Sequence, residues 1–216
     1  MDGKKLLLHV CCAPDATVPL EDLPGEGYDV TAYWWGKNIW PEEEERRRFE
    51  GLTSLLLLRS VPLVRETGDG TEWEELAPPL ADEPEGGKRC ELCFRLQLEA
   101  AARAAALREI SFLCTTLTIS PHKDVHLINS IGAEMAERHG LTWVHRIFRR
   151  QEGFLRSVKI CRELGLYRQS WCGCEYSLRS RGRSKRASGD NPSGLPENTL
   201  HPGVKEPGEM PGELQG

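Results

Sequence analysis

The sequence predicts an α/β layer fold with a largely parallel sheet, on three observations. Short apolar runs alternate with helical stretches from residue 5 to residue 165, the pattern of successive β–α–β units. The first run, residues 5–10, is continuously apolar and not alternating, as expected of a strand buried on both faces. It stops abruptly at Cys11-Cys12-Ala13-Pro14, and the loop beyond a strand's C-terminal end is where such sheets place ligands.

The other elements follow in order. Tyr28 to Trp35 is a second strand, rich in aromatic and β-preferring residues and preceded by Gly25 and Gly27. Pro41 opens a helix at its first turn, and the glutamates at 42–45 suit the positive end of its dipole. Val61 to Val64 is a short strand. A long helix runs from about Glu91 to Arg108 through the alanine-rich stretch Ala100–Ala106. Ile110 to Leu117 is a strand, and Asp124 to His139 a helix with Asp124 as its cap. Leu141 to Ile147 is a further strand, and Arg156 to Leu164 a helix closed by Gly165. From about Gly182 the composition turns to Gly, Pro, Ser, Asn and Glu with no apolar period. Residues 1–181 are therefore expected to fold as one domain, and 182–216 to form a disordered tail.

With 216 residues, 39% hydrophobic and 28% charged, the chain has the make-up of a soluble globular protein with one core. A net charge of −5 argues against a surface coated for non-specific nucleic-acid binding, while leaving room for a local basic face. No apolar run approaches the roughly 20 residues that cross a bilayer. The start, Met1 to Val10, lacks the long apolar core and cleavage site of a secretory signal. A cytoplasmic location is expected, so the eight cysteines read as metal ligands or redox catalysts and not as structural disulfides.

Cys90-Glu91-Leu92-Cys93, together with Cys11-Cys12, is the strongest chemical signal. A C-x-x-C pair at a helix start brings two sulfurs to one metal or cluster, where the helix N-terminus favours their negative charge. Adjacent cysteines leaving a strand should point apart and hold different corners of an extended cluster. Two buried cysteines with a solvent-facing pair, or a zinc site of four cysteines, are the alternatives, and soft thiolate ligands weigh toward iron–sulfur over zinc. Asp15 stands in the same loop as Cys11, either as a helix cap or as an oxygen ligand or proton donor beside the metal. Cys172-Gly173-Cys174 is a second pair, whose spacing allows a small, strained and hence reducible disulfide. Two unpaired thiols are the plain alternative. Cys114 and Cys161, inside a strand and a helix, read as inert core thiols.

Three further segments are candidates for substrate contact. Ser120-Pro121-His122-Lys123-Asp124 can present a histidine acid and a lysine to an anionic substrate, although it also reads as turn and cap chemistry. Tyr167 to Trp171 mixes stacking and charged groups as RNA-binding surfaces do. The runs Arg146–Arg150 and Arg179–Arg186 could hold phosphates, or be solvated faces.

Four stretches converge on a family. Leu-Leu-His-Val-Cys-Cys-Ala-Pro-Asp (7–15), Glu-Gly-Gly-Lys-Arg-Cys-Glu-Leu-Cys-Phe-Arg (85–95), Thr-Thr-Leu-Thr-Ile-Ser-Pro-His-Lys (115–123) and Leu-Tyr-Arg-Gln-Ser-Trp-Cys-Gly-Cys (166–174) resemble the QueH-type epoxyqueuosine reductases, in order, over about residues 5–178. The resemblance implies a Rossmann-like fold related to the pyrophosphate-loop and nucleotide-hydrolase (HUP) superfamily. It implies reduction of epoxyqueuosine to queuosine at the wobble position of tRNA, the last step of queuosine synthesis, fed by an external electron donor. By position, Cys11, Cys12, Cys90 and Cys93 match the ligands of a [4Fe-4S] cluster, and Cys172 and Cys174 the redox-active disulfide. Asp15 matches a position where an additional iron ion is held. Two segments depart from the family pattern. Gly36-Lys37-Asn38-Ile39-Trp40-Pro41 stands where a histidine more often precedes the proline, and Pro19 and Pro24 interrupt the first helix. Two other functions compete: a tRNA thiolase with an adenylating loop, and a zinc-stabilised RNA-binding module without catalysis. Against the thiolase, the first strand does not run into the Ser-Gly-Gly-x-Asp-Ser loop that cradles pyrophosphate.

Overall fold

The apolar run after Lys5 becomes the central strand of the sheet. The computed structural model describes residues 3–68 and 70–187. Among them, five strands pair in the order β3-β2-β1-β4-β5, where β1 is Lys4–Val10, β2 Tyr28–Trp34, β3 Leu63–Arg65, β4 Phe112–Thr115 and β5 Thr142–Trp143. Every pairing is parallel, with Leu8 of β1 opposite both Ala32 of β2 and Cys114 of β4.

Alternation along β1 sends side chains into two separate cores, as a sheet covered on both faces requires. Leu6, Leu8 and Val10 face one way, with Ala32 and Trp34. That layer is closed by helices α1 (Ala13–Ala16), α2 (Pro19–Gly25) and α3 (Glu42–Leu58), which contribute Ala16, Leu23, Leu52 and Leu55. Leu7, Tyr33 and Leu113 face the other way, under α5 (Lys88–Ala106) and α6 (Val125–Arg138); α4 (Thr71–Leu76) adds Trp73 to that core. The alanines of α5, small enough for close approach, are buried against this face. Helix α7 (Gly153–Glu163) lies on the first face through Ile160, and α8 (Glu175–Ala187) follows the last loop.

Several boundaries differ from expectation for local reasons. The strand expected over 110–117 pairs only over Phe112–Thr115, because the Thr115 hydroxyl accepts the Leu117 N–H and the chain tightens into a 3₁₀ turn, Thr116–Ile119. The strand expected over 141–147 is two residues long, and beyond it Val144 and Phe148 are buried outside the strand. Helix α5 starts at Lys88 and not Glu91, which draws both C-x-x-C cysteines into its first turns. Pro41 precedes α3 in extended conformation, one residue earlier than a first-turn proline. Pro19 does interrupt the first helix: it begins a second one, α2, with Pro24 in that helix's last turn. Helices α4 and α8 had no sequence signal of their own.

The chain divides into a unit ending at Ser180 and a second beginning at Arg181. The expected start of the tail, residue 182, falls within α8, which continues to Ala187; the tail from 188 onward lies outside the described residues. No helix among them is long and apolar enough to cross a membrane.

Asp124 caps α6 as expected, its Oδ1 accepting the N–H groups of His126 and Leu127 at 2.9 and 3.1 Å. Asp124→Ala should lower unfolding free energy by about 1 kcal/mol in urea titrations, with the site described next left intact.

Candidate metal and redox site

In this strand order the chain builds outward from β1 through β2 to β3, then returns to place β4 on the other side of β1. The crevice at the carboxyl ends of β1 and β4 is thus the topological switch point, where open α/β sheets bind ligands. Cys11 and Cys12 follow β1 there and Thr116 follows β4, with the Cys11 sulfur 3.7 Å from the Thr116 hydroxyl.

The two adjacent thiols do not point apart. Strand geometry ends at Val10, Cys12 caps α1, and the turn between them brings the two sulfurs 4.0 Å from each other. Asp15 lies inside α1 and is not its cap; its carboxylate accepts a hydrogen bond from the Cys11 thiol at 3.1 Å. The ligand atoms of Cys11, Cys12 and Asp15 all lie within 4.8 Å of one another, a compact group of two sulfurs and one oxygen. The hydrogen bond with Cys12, burial and the Asp15 charge together hold the Cys11 thiol well above its usual pKa.

Cys90 and Cys93 belong to a different wall, the start of α5. Arg89, buried beside Cys90 in the first turn, donates to the carbonyls of Leu80, Ala81 and Glu83 in the preceding loop and fixes that helix end. Burial raises both thiols, and the charges of Cys172 and Cys174 push Cys93 further. Within 4.8 Å, Cys11 and Cys12 group with Asp15, while Cys93 has Cys172, Cys174 and Cys90 as electrostatic neighbours and Cys172 in turn feels Cys11.

N–H groups converge on three of these four sulfurs. The backbone N–H of Gly86 reaches Cys90 at 3.2 Å, Gln97 Nε2 and Asn38 Nδ2 reach Cys93 at 2.9 and 3.4 Å, and Gln169 Nε2 reaches Cys12 at 2.8 Å. Such donors are what protein thiolates around metal centres receive, and they tune the potential of a cluster. Asn38 and Gln97 carried no sequence signal; polar amides become visible as sulfur partners only once the chain is folded.

Cys172 and Cys174 are unpaired thiols here, on the loop between α7 and α8. Gly173 between them has φ +120°, a conformation open to glycine and strained for other residues. Cys174 directly precedes α8, where the N–H groups of Ser177 and Tyr176 and the nearby Arg89 offset part of the burial that raises its pKa. The helix N-terminus and Arg89 work toward the thiolate, and burial prevails over them. Burial raises Cys172 as well, opposed by Lys123.

Within the 120–124 loop the lysine, not the histidine, faces the thiols. His122 is exposed, whereas Lys123 is half-buried. Burial works against the Lys123 charge, but Cys172, Cys11, Asp15 and Cys12 outweigh it and hold the ammonium above its ordinary range. Arg149 donates to the carbonyls of Ser120 and Lys123, and Arg146 pairs with Glu26, so both are committed within the fold and are not a free phosphate stripe. Arg179 pairs with Glu175 at 2.6 Å. Cys114 is a core thiol as expected, pushed up to about 12 by burial, and Cys161 is likewise buried.

A cavity of about 240 Å³ is lined among others by Lys37, Asn38, Trp40, Trp73 and Tyr176. Asn38 joins it to Cys93, and the Trp40 N–H donates to the Gly173 carbonyl at 2.9 Å. Trp40 itself is 52% exposed.

Fold and site together define a Rossmann-like α/β protein with a cluster of cysteines, a candidate metal site, at the switch point of its sheet. A family profile described as "Epoxyqueuosine reductase QueH" matches residues 6–180. The chain belongs to the QueH family. It is 33% identical over 183 residues to the epoxyqueuosine reductase QueH of Streptococcus pyogenes serotype M1, covering 82% of this chain and 71% of that one. Among solved structures the fold resembles a predicted subunit of tRNA methyltransferase from Methanocaldococcus jannaschii, with TM-score 0.53 and 14% identity over 82% of this chain and 88% of that one. It also resembles the U34-tRNA thiolase NcsA from Methanococcus maripaludis, solved with its [4Fe-4S] cluster, with TM-score 0.51 and 12% identity over 87% and 66%. At these identities the two structures speak for the fold alone.

Proposed function

We propose that this chain reduces epoxyqueuosine to queuosine at the wobble position of tRNA in the cytoplasm. Cys11, Cys12, Cys90 and Cys93 hold a [4Fe-4S] cluster, and Cys172 and Cys174 cycle between dithiol and disulfide. Membership of the family supports the reaction. The observation that carries the metal assignment is the convergence of N–H donors on Cys12, Cys90 and Cys93. Burial by itself favours neutral thiols; a bound cation reverses that preference, and the N–H donors then meet charged sulfurs, which supports metal ligation. Asp15, sharing its spot with Cys11 and Cys12, supports a further iron ion there.

Removing the epoxide oxygen as water and leaving an alkene consumes two electrons and two protons. Two thiols becoming one disulfide release two electrons and two protons, so the Cys172–Cys174 pair balances one turnover, and an external electron donor then restores the dithiol. A bound iron–sulfur cluster supplies one-electron transfer and a Lewis-acidic iron. Lys123 keeps its proton and serves as a fixed positive charge facing the reacting groups. The two protons that the departing oxygen takes up are those the two thiols release, which leaves the Asp15 carboxylate for the metal.

The target base must leave its stack to reach these groups. Trp40, which lines the cavity and is half-exposed, offers a ring on which an unstacked base can lie. Trp40→Ala should raise KM for the tRNA about tenfold with little change in kcat, the scale of one base–aromatic stack, and Trp40→Phe should restore most of it.

The reading is tested on anaerobically purified protein. Iron and sulfide in equal amounts, broad visible absorption and conversion of epoxyqueuosine tRNA under a chemical reductant are expected. Zinc without sulfide, and no conversion, would replace it with the non-catalytic zinc module.

A further inference from the structure

Arg48 is the most deeply placed cation of α3, 3% exposed, with Glu44 5% exposed beside it. Their ion pair measures 2.6 Å. A buried pair of this kind does not stabilise a fold for its own sake, since hydrophobic residues in its place often do better. Its other contacts show what it holds. Arg48 Nη1 donates to the Cys172 carbonyl at 2.9 Å and Nη2 to the Trp171 carbonyl at 3.1 Å, with the guanidinium 5.4 Å from the centre of the Trp171 ring. Glu44 in turn accepts from the Tyr167 hydroxyl at 2.9 Å, and the Arg47 guanidinium lies 3.7 Å over the Tyr167 ring. The next carbonyl, that of Gly173, accepts the Trp40 N–H. Three consecutive carbonyls, 171 to 173, are thus all engaged by α3 and the residue before its leading proline.

We propose that Arg48 is a positioning residue for the Cys172-Gly173-Cys174 loop: its forked guanidinium fixes the loop backbone in the dithiol form and so sets both the reach and the redox balance of the pair. This rests on the reading of Cys172 and Cys174 as a dithiol couple. These bonds hold the 171 and 172 carbonyls in the open geometry of the free thiols. A disulfide across a single residue has narrow geometric demands and must bend that backbone, so the clamp opposes closure, and a stabilised dithiol makes its disulfide the stronger oxidant. Gly173 completes the arrangement, because a Cβ there would stand 2.7 Å from Arg48 Nη1 and displace the group that holds Cys172. Lysine cannot replace the fork, having one point charge where two carbonyls must be met.

The experiment uses the full-length, anaerobically purified protein as wild type, Arg48→Lys, Arg48→Met, Gly173→Ala and Cys172→Ser. Thiol trapping of the peptide bearing Cys172 and Cys174 is carried out in glutathione buffers; each oxidation of the pair passes two electrons and two protons to glutathione disulfide, giving two glutathiones. In the Arg48 and Gly173 variants the equilibrium should move about tenfold toward the disulfide, about 30 mV. Their kcat should fall about 10- to 100-fold, the cost of misplacing a reacting group, with iron content and tRNA KM within about twofold. An unchanged thiol–disulfide equilibrium in iron-loaded Arg48→Lys and Gly173→Ala overturns the proposal, even if Arg48→Met does not fold. So does a fall in kcat that only follows iron loss, which would make Arg48 structural. If Cys172→Ser turns over normally, the dithiol reading fails and the proposal with it. If Cys172→Ser is inactive and the equilibrium does not move, the clamp alone fails.

Discussion

Replacing Cys11, Cys12, Cys90 or Cys93 with alanine should each remove most iron and sulfide and take turnover below detection. The expected size follows from comparison. Losing a partner that merely orients a metal ligand costs about 10- to 100-fold, so Gln97→Leu, which takes an N–H from the Cys93 sulfur, should fall in that range. Losing the sulfur itself should exceed it. Iron and sulfide analysis with visible spectra checks the first set, and steady-state kinetics the second. Full iron and turnover in all four alanine variants would remove these sulfurs from the centre. Asp15→Ala separates the two metal roles: loss of part of the iron with sulfide unchanged is the expected result, because Asp15 shares only the Cys11–Cys12 end of the site.

Cys172→Ser and Cys174→Ser should leave iron and sulfide close to normal and lower multiple-turnover reduction by about 100-fold or more. Serine keeps the size and loses the electrons. Because the two thiols act as a unit, the double variant should be no worse than either single one, the non-additivity expected of a couple whose members work only together. Loss of the cluster in either variant would make these residues ligands, an outcome to which their electrostatic contact with Cys93 gives a concrete route. Unchanged turnover would leave them outside the reaction.

The basic segments show how sequence and structure divide the work. Arg146, Arg149 and Lys123 are all cations near loop ends in the sequence, and nothing in their spacing separates them. Folded, Arg146 is neutralised by Glu26, 120 positions away, Arg149 is spent on two carbonyls, and only Lys123 turns toward the thiols. Pairing over such distances leaves no periodicity to read. The same holds for Arg48, which looks like one more charge in Glu-Glu-Glu-Glu-Arg-Arg-Arg until α3 packs beside the last loop.

By itself the sequence determined the parallel α/β architecture and the cap at Asp124, because each depends on residues close along the chain: apolar runs, and a side chain reaching its own backbone. It also carried the family, through four motifs kept in order. Tertiary structure alone decided which sulfurs converge. Cys11 and Cys12 should diverge if β1 continued, and they meet because it ends at Val10 and a short helix begins. Where a strand stops is settled by its neighbours, here β4 turning at Thr115 beside it. Strand ends, buried amide partners of sulfur and the Arg48 clamp are all products of long-range packing, whose energies local sequence does not encode.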